Sequence, residues 1–374
     1  MNRLKSLAAI LLGPADDDTD ESAAALEAAG VPVSFADCRN CPHPCEEPGH
    51  EDYPEKIVSM IDTTSEMLGS VKPYRRQVVI STGRSDWARS ITDEKGSLAA
   101  HLLTIETEAP NMPTPIISPD ITAPGTPESG LKELPEKPLT PISGIFKASA
   151  ASTVSILNGS HNTVSSDYET ESVLVFPDYK VVTEVSVSLE GAKELWENSV
   201  NPAVPRLGSL STTTSVKSWI IPYSCVILIC SHRRRDVRCA VAAPKLERAF
   251  SETLEREGWE VHTHLDEPTG PPLEEFNDSE DAKEAEMQRR LQELDDDLPK
   301  RALILKTSHI GGHKYAGNII IYMPQGAGVW YGRVSTHEVE PIVRTTILDG
   351  RILPPLLRGG VNLSRPDCKR LNDW

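Results

Sequence analysis

Residues 226–229, Val-Ile-Leu-Ile, form an unbroken apolar run between polar segments. Four residues are too few for a core helix and fit a strand buried on both faces. The segments downstream narrow the choice. Beyond the basic loop 232–238, residues 240–259 set Val241, Leu246, Ala249, Phe250 and Leu254 on one helical face. Then come a short strand at 260–265, an acidic stretch at 266–300, β-branched strands at 301–308 and 318–324, a strand at 329–334 and a helix at 337–348.

This order, strand, helix, strand, insertion, strand, strand, helix, predicts an α/β sandwich of thioredoxin-like arrangement. The first half rhymes with it. QVVIST (77–82) is a strand that runs through the turn GRSDW into a helix at 88–104, and SVLVF (172–176) with YKVVTEVSV (179–187) matches the later hairpin. We read a duplication whose first copy lacks metal ligands. VPVSF (31–35) is a further strand. The expected boundaries are an N-terminal segment 1–30, an α/β domain 31–205, a second thioredoxin-like domain 206–350 and a tail 351–374. Residues 105–142, dense in Pro, Thr and Ser without apolar period, predict a disordered insertion. Residues 266–300 hold 13 Asp/Glu against 4 Lys/Arg and predict a solvated insertion with a transient helix.

Charge and cysteine usage exclude several functions. A net charge of −17 argues against nucleic acid and anionic membrane surfaces, which need clustered Lys and Arg. The apolar run Leu7–Leu12 is too short to span a bilayer and is followed by three aspartates. Seven unevenly spaced cysteines in 374 residues are no disulfide framework and suit a reducing compartment, where thiols are free to bind metal.

Cys230 ends the buried strand and Cys239 opens the following helix, whose N-terminus and neighbouring arginines favour thiolate. His309 and His313 share a loop in which Gly311 and Gly312 permit a sharp turn. In a thioredoxin-like sheet the two loops lie side by side, so two Cys and two His converge. Such a set suits Zn²⁺ or a [2Fe–2S] cluster. A second candidate site is Cys38, Cys41 and Cys45 with His43 and His50, read as a stiff turn, a metal site or a redox thiol pair. Cys225 is expected in the core, His232 in a loop, His262 and His264 on a strand face, and Cys368 as a bystander. Lys314, Tyr315 and Asn318 are expected to shape the cluster loop.

CSHRRRDVRC (230–239), HIGGHKYAGNIIIY (309–322), WYGRV and the terminal Trp374 resemble the fungal sucrase/ferredoxin-like family of thioredoxin-like ferredoxins. DCRNCPHPC, VKPYRRQVVISTG and LLRGG (356–360) carry the same resemblance. It implies a [2Fe–2S] cluster with Cys230 and Cys239 on one iron and His309 and His313 on the other. It also implies an electron carrier of cellular redox homeostasis rather than a catalyst. The alternatives are a structural zinc module and a thiol oxidoreductase using Cys38 and Cys41. No carboxylate pair supports sugar hydrolysis. The expected partners are a redox protein and the cytosolic iron–sulfur assembly machinery, which would read Asp373-Trp374. The expected compartment is the cytoplasm, with the mitochondrial matrix as the alternative.

Overall fold

The computed structural model describes residues 17–42, 45–108, 141–167, 169–211, 213–296 and 298–374. The Leu7–Leu12 run, His43 and nearly all of the Pro-rich stretch lie outside the described residues.

Twelve strands form one mixed sheet. In the first half β1 (Arg76–Ser81) leads through a helix (Leu98–Glu108) and the two-residue β2 (Ile145–Phe146) to β3 (Val154–Gly159). Then follow β4 (Thr170–Phe176), β5 (Lys180–Ser186) and a helix (Leu189–Leu195). β1 pairs in parallel with β3 and antiparallel with β4, and β4 pairs antiparallel with β5.

The second half repeats this. After β6 (Lys217–Ile220), β7 (Cys225–Cys230) enters the helix Val237–Arg256 and then β8 (Glu260–His262) and β9 (Arg301–Thr307). β10 (Ile319–Tyr322), β11 (Gly328–Tyr331) and the helix Thr336–Ile342 follow. β7 is parallel to β9 and antiparallel to β10, which pairs antiparallel with β11. β8 also pairs with β9. The halves meet where β3 touches β9 at Gly159 and Thr307.

Strand alternation explains how the first half fills both faces. Val79, Leu174 and Phe176 enter the main core. Val78, Ile80, Val173 and Val175 enter a second core with Leu98, Leu102 and Leu195. β7 is buried at every residue, as an interior strand flanked by a parallel neighbour should be.

Several expectations are corrected. VPVSF forms no strand and makes a single bridge, Val33 to Ile352. The helix expected at 88–104 begins at Leu98, after a 3₁₀ turn at Ile91–Asp93. The acidic stretch is not merely solvated. It carries a helix, Glu280–Asp296, that buries Met287, Leu291 and Leu294. These sit at helical spacing, and the charged residues between them hid the stripe. β3 and β12 (Leu357–Val361) are strands not foreseen. β12 lies in the expected tail and pairs with β11 and β2, and Leu363 and Leu371 beyond it are buried. No helix among the described residues is long and apolar enough to cross a membrane.

One buried group carries a pH signature. His161 is fully buried, and neither ring nitrogen makes a hydrogen bond of good geometry. Burial lowers its pKa from 6.5 to about 4. The unfolded chain therefore binds the extra proton first. Stability is highest above pH 6.5 and falls as the pH drops toward 4. The expected loss from this residue is about 2 kcal/mol between about pH 7 and pH 5. Urea unfolding at the two pH values should show it, and His161→Leu should remove that part of the difference. An unchanged difference would assign the effect elsewhere.

Candidate metal centre

Parallel pairing places Cys230 opposite Thr307. The loops leaving β7 and β9 therefore emerge at one sheet edge, the carboxyl ends of the strands, where α/β folds build their sites. The first loop reaches the helix at Val237, capped by Asp236, whose carboxylate accepts from the Arg238 N–H at 2.9 Å. Cys239 follows in the first turn. The second loop carries His309 and His313. The structure thus brings all four residues to one mouth.

Cys230 and Cys239 are buried, and their side chains interact. The Cys239 thiol donates toward Cys230. Together with the His309 ring and the Ile310 N–H, this holds Cys230 well below the usual thiol range. Cys239 is pushed up in return, with burial adding to the rise. The pair is thus polarised, with Cys230 the more acidic thiol, and a cation beside both would favour ionising the second.

The imidazoles differ. His309 Nδ1 is buried and makes no hydrogen bond, which is costly for a polar atom unless it has a ligand to meet. His313 is exposed. Its pKa is lowered, first by partial desolvation and then by the neighbouring His309 ring, Arg238 and Arg235, against the pull of Asp236. The ring centroids lie 5.3 Å apart.

The surroundings hold the His loop rigidly. His232 lies in the loop as expected but is buried, and its Nδ1 accepts from the His309 N–H at 3.3 Å. Its Nε2 therefore bears the proton and donates to the Trp87 carbonyl at 2.9 Å. Asn318 Nδ2 donates to the Gly312 carbonyl at 3.0 Å, which gives Asn318 the loop-shaping role expected of it. Lys314 instead turns outward to Asp62, 3.2 Å away.

Arg358 is a residue of this mouth that sequence reasoning missed. It is 1% exposed and donates to Asn318 Oδ1 at 2.8 Å, Gly311 O at 3.3 Å and Ser70 Oγ at 3.1 Å. Burial lowers its pKa to about 10, while Cys230, Tyr315 and Cys239 resist that fall. It stays charged at neutral pH and sets a positive charge near the two cysteines from inside the fold. A Cβ at Gly312 would collide with its guanidinium, so that glycine is required for close approach as well as for its left-handed φ of 61°. The only hint in the sequence was the Arg followed by two glycines in LLRGG.

The cysteines near the N-terminus divide. Cys38 joins the apolar core, and burial raises its thiol to about 12, so it leaves the second candidate site. Cys41 is pushed up to about 11, again chiefly by desolvation. Cys41 and Cys45 stay together, with His50 and His337. Cys225 is core. His262, at the end of β8, groups with His264 and Asp266. Cys368 makes only long sulfur contacts, at 3.9 and 4.0 Å, to backbone carbonyls. Trp374 is 43% exposed, and its indole N–H donates to Asp295.

Comparison with known proteins decides the family. The profile described as sucrase/ferredoxin-like matches residues 67–359. The chain belongs to the sucrase/ferredoxin-like family. As a member of that family it is similar to altered inheritance of mitochondria protein 32 of Meyerozyma guilliermondii, 33% identical over 137 residues, covering 37% of this chain and 35% of that protein. The same protein of Clavispora lusitaniae is 34% identical over 134 residues, covering 36% and 34%. Actin patches distal protein 1 of Saccharomyces cerevisiae is 28% identical over 123 residues, covering 33% and 29%. These matches span about a third of each relative's length. No solved structure matches the chain.

Proposed function

We propose that Cys230, Cys239, His309 and His313 hold a [2Fe–2S] cluster and that this sucrase/ferredoxin-like protein carries electrons in cellular redox homeostasis. The observation that supports it best is the buried Cys230–Cys239 pair beside the unpartnered Nδ1 of His309. The donor set is mixed soft thiolate and imidazole, as in centres that ligate one iron by two Cys and the other by two His. A bound cluster would supply one-electron chemistry. The chain's own part is to bury the sulfurs, fix the His loop through His232 and Asn318, and place the Arg358 charge beside them. With β2, β8 and the helix Glu280–Asp296 set aside, both halves keep the order strand–helix–strand–strand–strand–helix, which supports reading each as a thioredoxin-like unit. Cys38 and Cys41, both raised well above neutral pH, lack the thiolate character of a thiol oxidoreductase.

The visible absorption spectrum of the anaerobically purified chain, with its iron and acid-labile sulfide content, tests the assignment. A brown protein with about two irons and two sulfides per chain is expected. A colourless protein holding zinc at these residues would overturn it.

The cytosol is the proposed compartment, with the exposed Trp374 indole as an anchor for cluster-assembly proteins. Trp374→Ala should lower iron loading in cells several-fold, while thermal unfolding and chemical reconstitution of the purified protein stay unchanged. Normal loading in cells would remove the residue from that role.

A further inference from the structure

A second constellation lies away from this mouth. Cys41, Cys45, His50 and His337 offer ligand atoms that all lie within 4.8 Å of one another. Cys41 Sγ is 3.4 Å from His337 Nδ1, and Cys45 Sγ is 3.3 Å from His50 Nδ1. The two rings meet edge to face at 5.3 Å. Zn–S bonds of about 2.3 Å and Zn–N bonds of about 2.0 Å give a tetrahedral S···N edge of about 3.5 Å. The observed separations match that edge before any ion draws the ligands in.

The outer contacts match as well. His337 is buried, and its Nε2 lies 2.9 Å from Asp52 Oδ1. A proton held on Nε2 by that carboxylate leaves Nδ1 free, with its lone pair toward Cys41. This is the carboxylate–histidine pairing that orients zinc ligands.

The location gives such an ion a purpose. Between Cys38 and Tyr53 the described backbone forms neither helix nor strand, so side chains must hold it down. It is fastened to the start of the helix Thr336–Ile342 by Arg39 to Glu338 at 3.0 Å, Thr336 to the Glu51 carbonyl at 3.0 Å and Tyr53 to the Val334 carbonyl at 2.8 Å. Glu51 also accepts from Lys245 and Arg248 of the helix that carries Cys239. One ion bound by three residues of this strap and one of the helix would cross-link the two.

We infer that Cys41, Cys45, His50 and His337 form a closed, structural Zn²⁺ site that pins the 38–53 strap over the helices behind the proposed cluster. With four protein ligands and no open position it would carry no chemistry of its own.

Metal analysis of the full chain, expressed with both zinc and iron supplied, tests this. About one zinc per chain is expected in addition to the iron. The double substitution Cys45→Ser/His50→Ala should abolish that zinc and leave the visible spectrum unaltered. Should the strap variant not fold, Asp52→Asn serves instead. Asp52 is 83% exposed, and losing its charge should weaken zinc affinity by roughly 10–100-fold in chelator competition. Cobalt(II) added to the zinc-free chain should give the visible bands of a tetrahedral thiolate site. No zinc in the wild-type protein together with no cobalt bands would overturn the inference, as would a Cys41–Cys45 disulfide in protein prepared without air. A failed cluster assignment remains distinguishable: zinc at both places would give about two ions per chain, of which the strap variant loses one.

Discussion

Cys230→Ser and Cys239→Ser are each expected to yield colourless protein with iron near zero. A serine oxygen is hard and stays protonated near neutral pH, so it replaces a thiolate poorly on iron. Neither site offers water as a substitute ligand, since both sulfurs are buried. The His side should respond differently. His309→Cys is expected to keep a cluster but to shift its potential toward the roughly −400 mV of all-Cys plant-type centres, because two neutral donors confer a higher potential than thiolates. His313, exposed at the rim, should tolerate Cys with a similar shift. Iron analysis and protein-film voltammetry read both effects. If His309→Ala combined with His313→Ala left iron content and spectrum unchanged, the assignment of these imidazoles would be wrong.

The largest expected loss of stability lies elsewhere. Arg76, at the start of β1, is fully buried, and its Nε donates to Asp178 Oδ2 at 2.7 Å. Its remaining nitrogens donate to the carbonyls of Asn201 at 2.7 Å and Val204 at 2.8 Å. Asp178 sits in the turn between β4 and β5 and faces more than one cation. Lys180 is 1% exposed, with its pKa lowered to about 8 by desolvation against the pull of Asp178. Arg206 is half-buried and also lowered by desolvation, with the same carboxylate opposing. Asp178→Ala would leave these charges without their counterion. Breaking such a buried pair costs about 3–5 kcal/mol, and the extra cations place this site at the upper end. Urea denaturation should show it as a lowered midpoint at unchanged slope. The double change Arg76→Met/Asp178→Leu should recover much of the loss. A single-variant cost below about 1 kcal/mol would show that the pair is not desolvated as the fold implies.

Features that depend on neighbours along the chain were legible without the fold. The apolar run of β7, the helical stripe Leu246–Phe250–Leu254 and the glycine turn between His309 and His313 are local patterns, written in residue spacing. So was the pairing of Cys230 with a helix-opening Cys239. Where apolar residues are sparse the local signal fades: Met287, Leu291 and Leu294 lie among acids, and β3 is set among Ser, Thr and Asn. Tertiary structure alone decided which distant side chains meet. Arg358 reaches the proposed cluster only because β12 is registered against β11. Cys41 meets His337 only because the strap crosses a helix that lies far along the chain. Neither contact has a period or spacing, since each arises from the sheet register and the packing that bring separate segments through space. For the same physical reason Cys38, beside Cys41 in sequence, ends in the apolar core, while its neighbour faces two histidines.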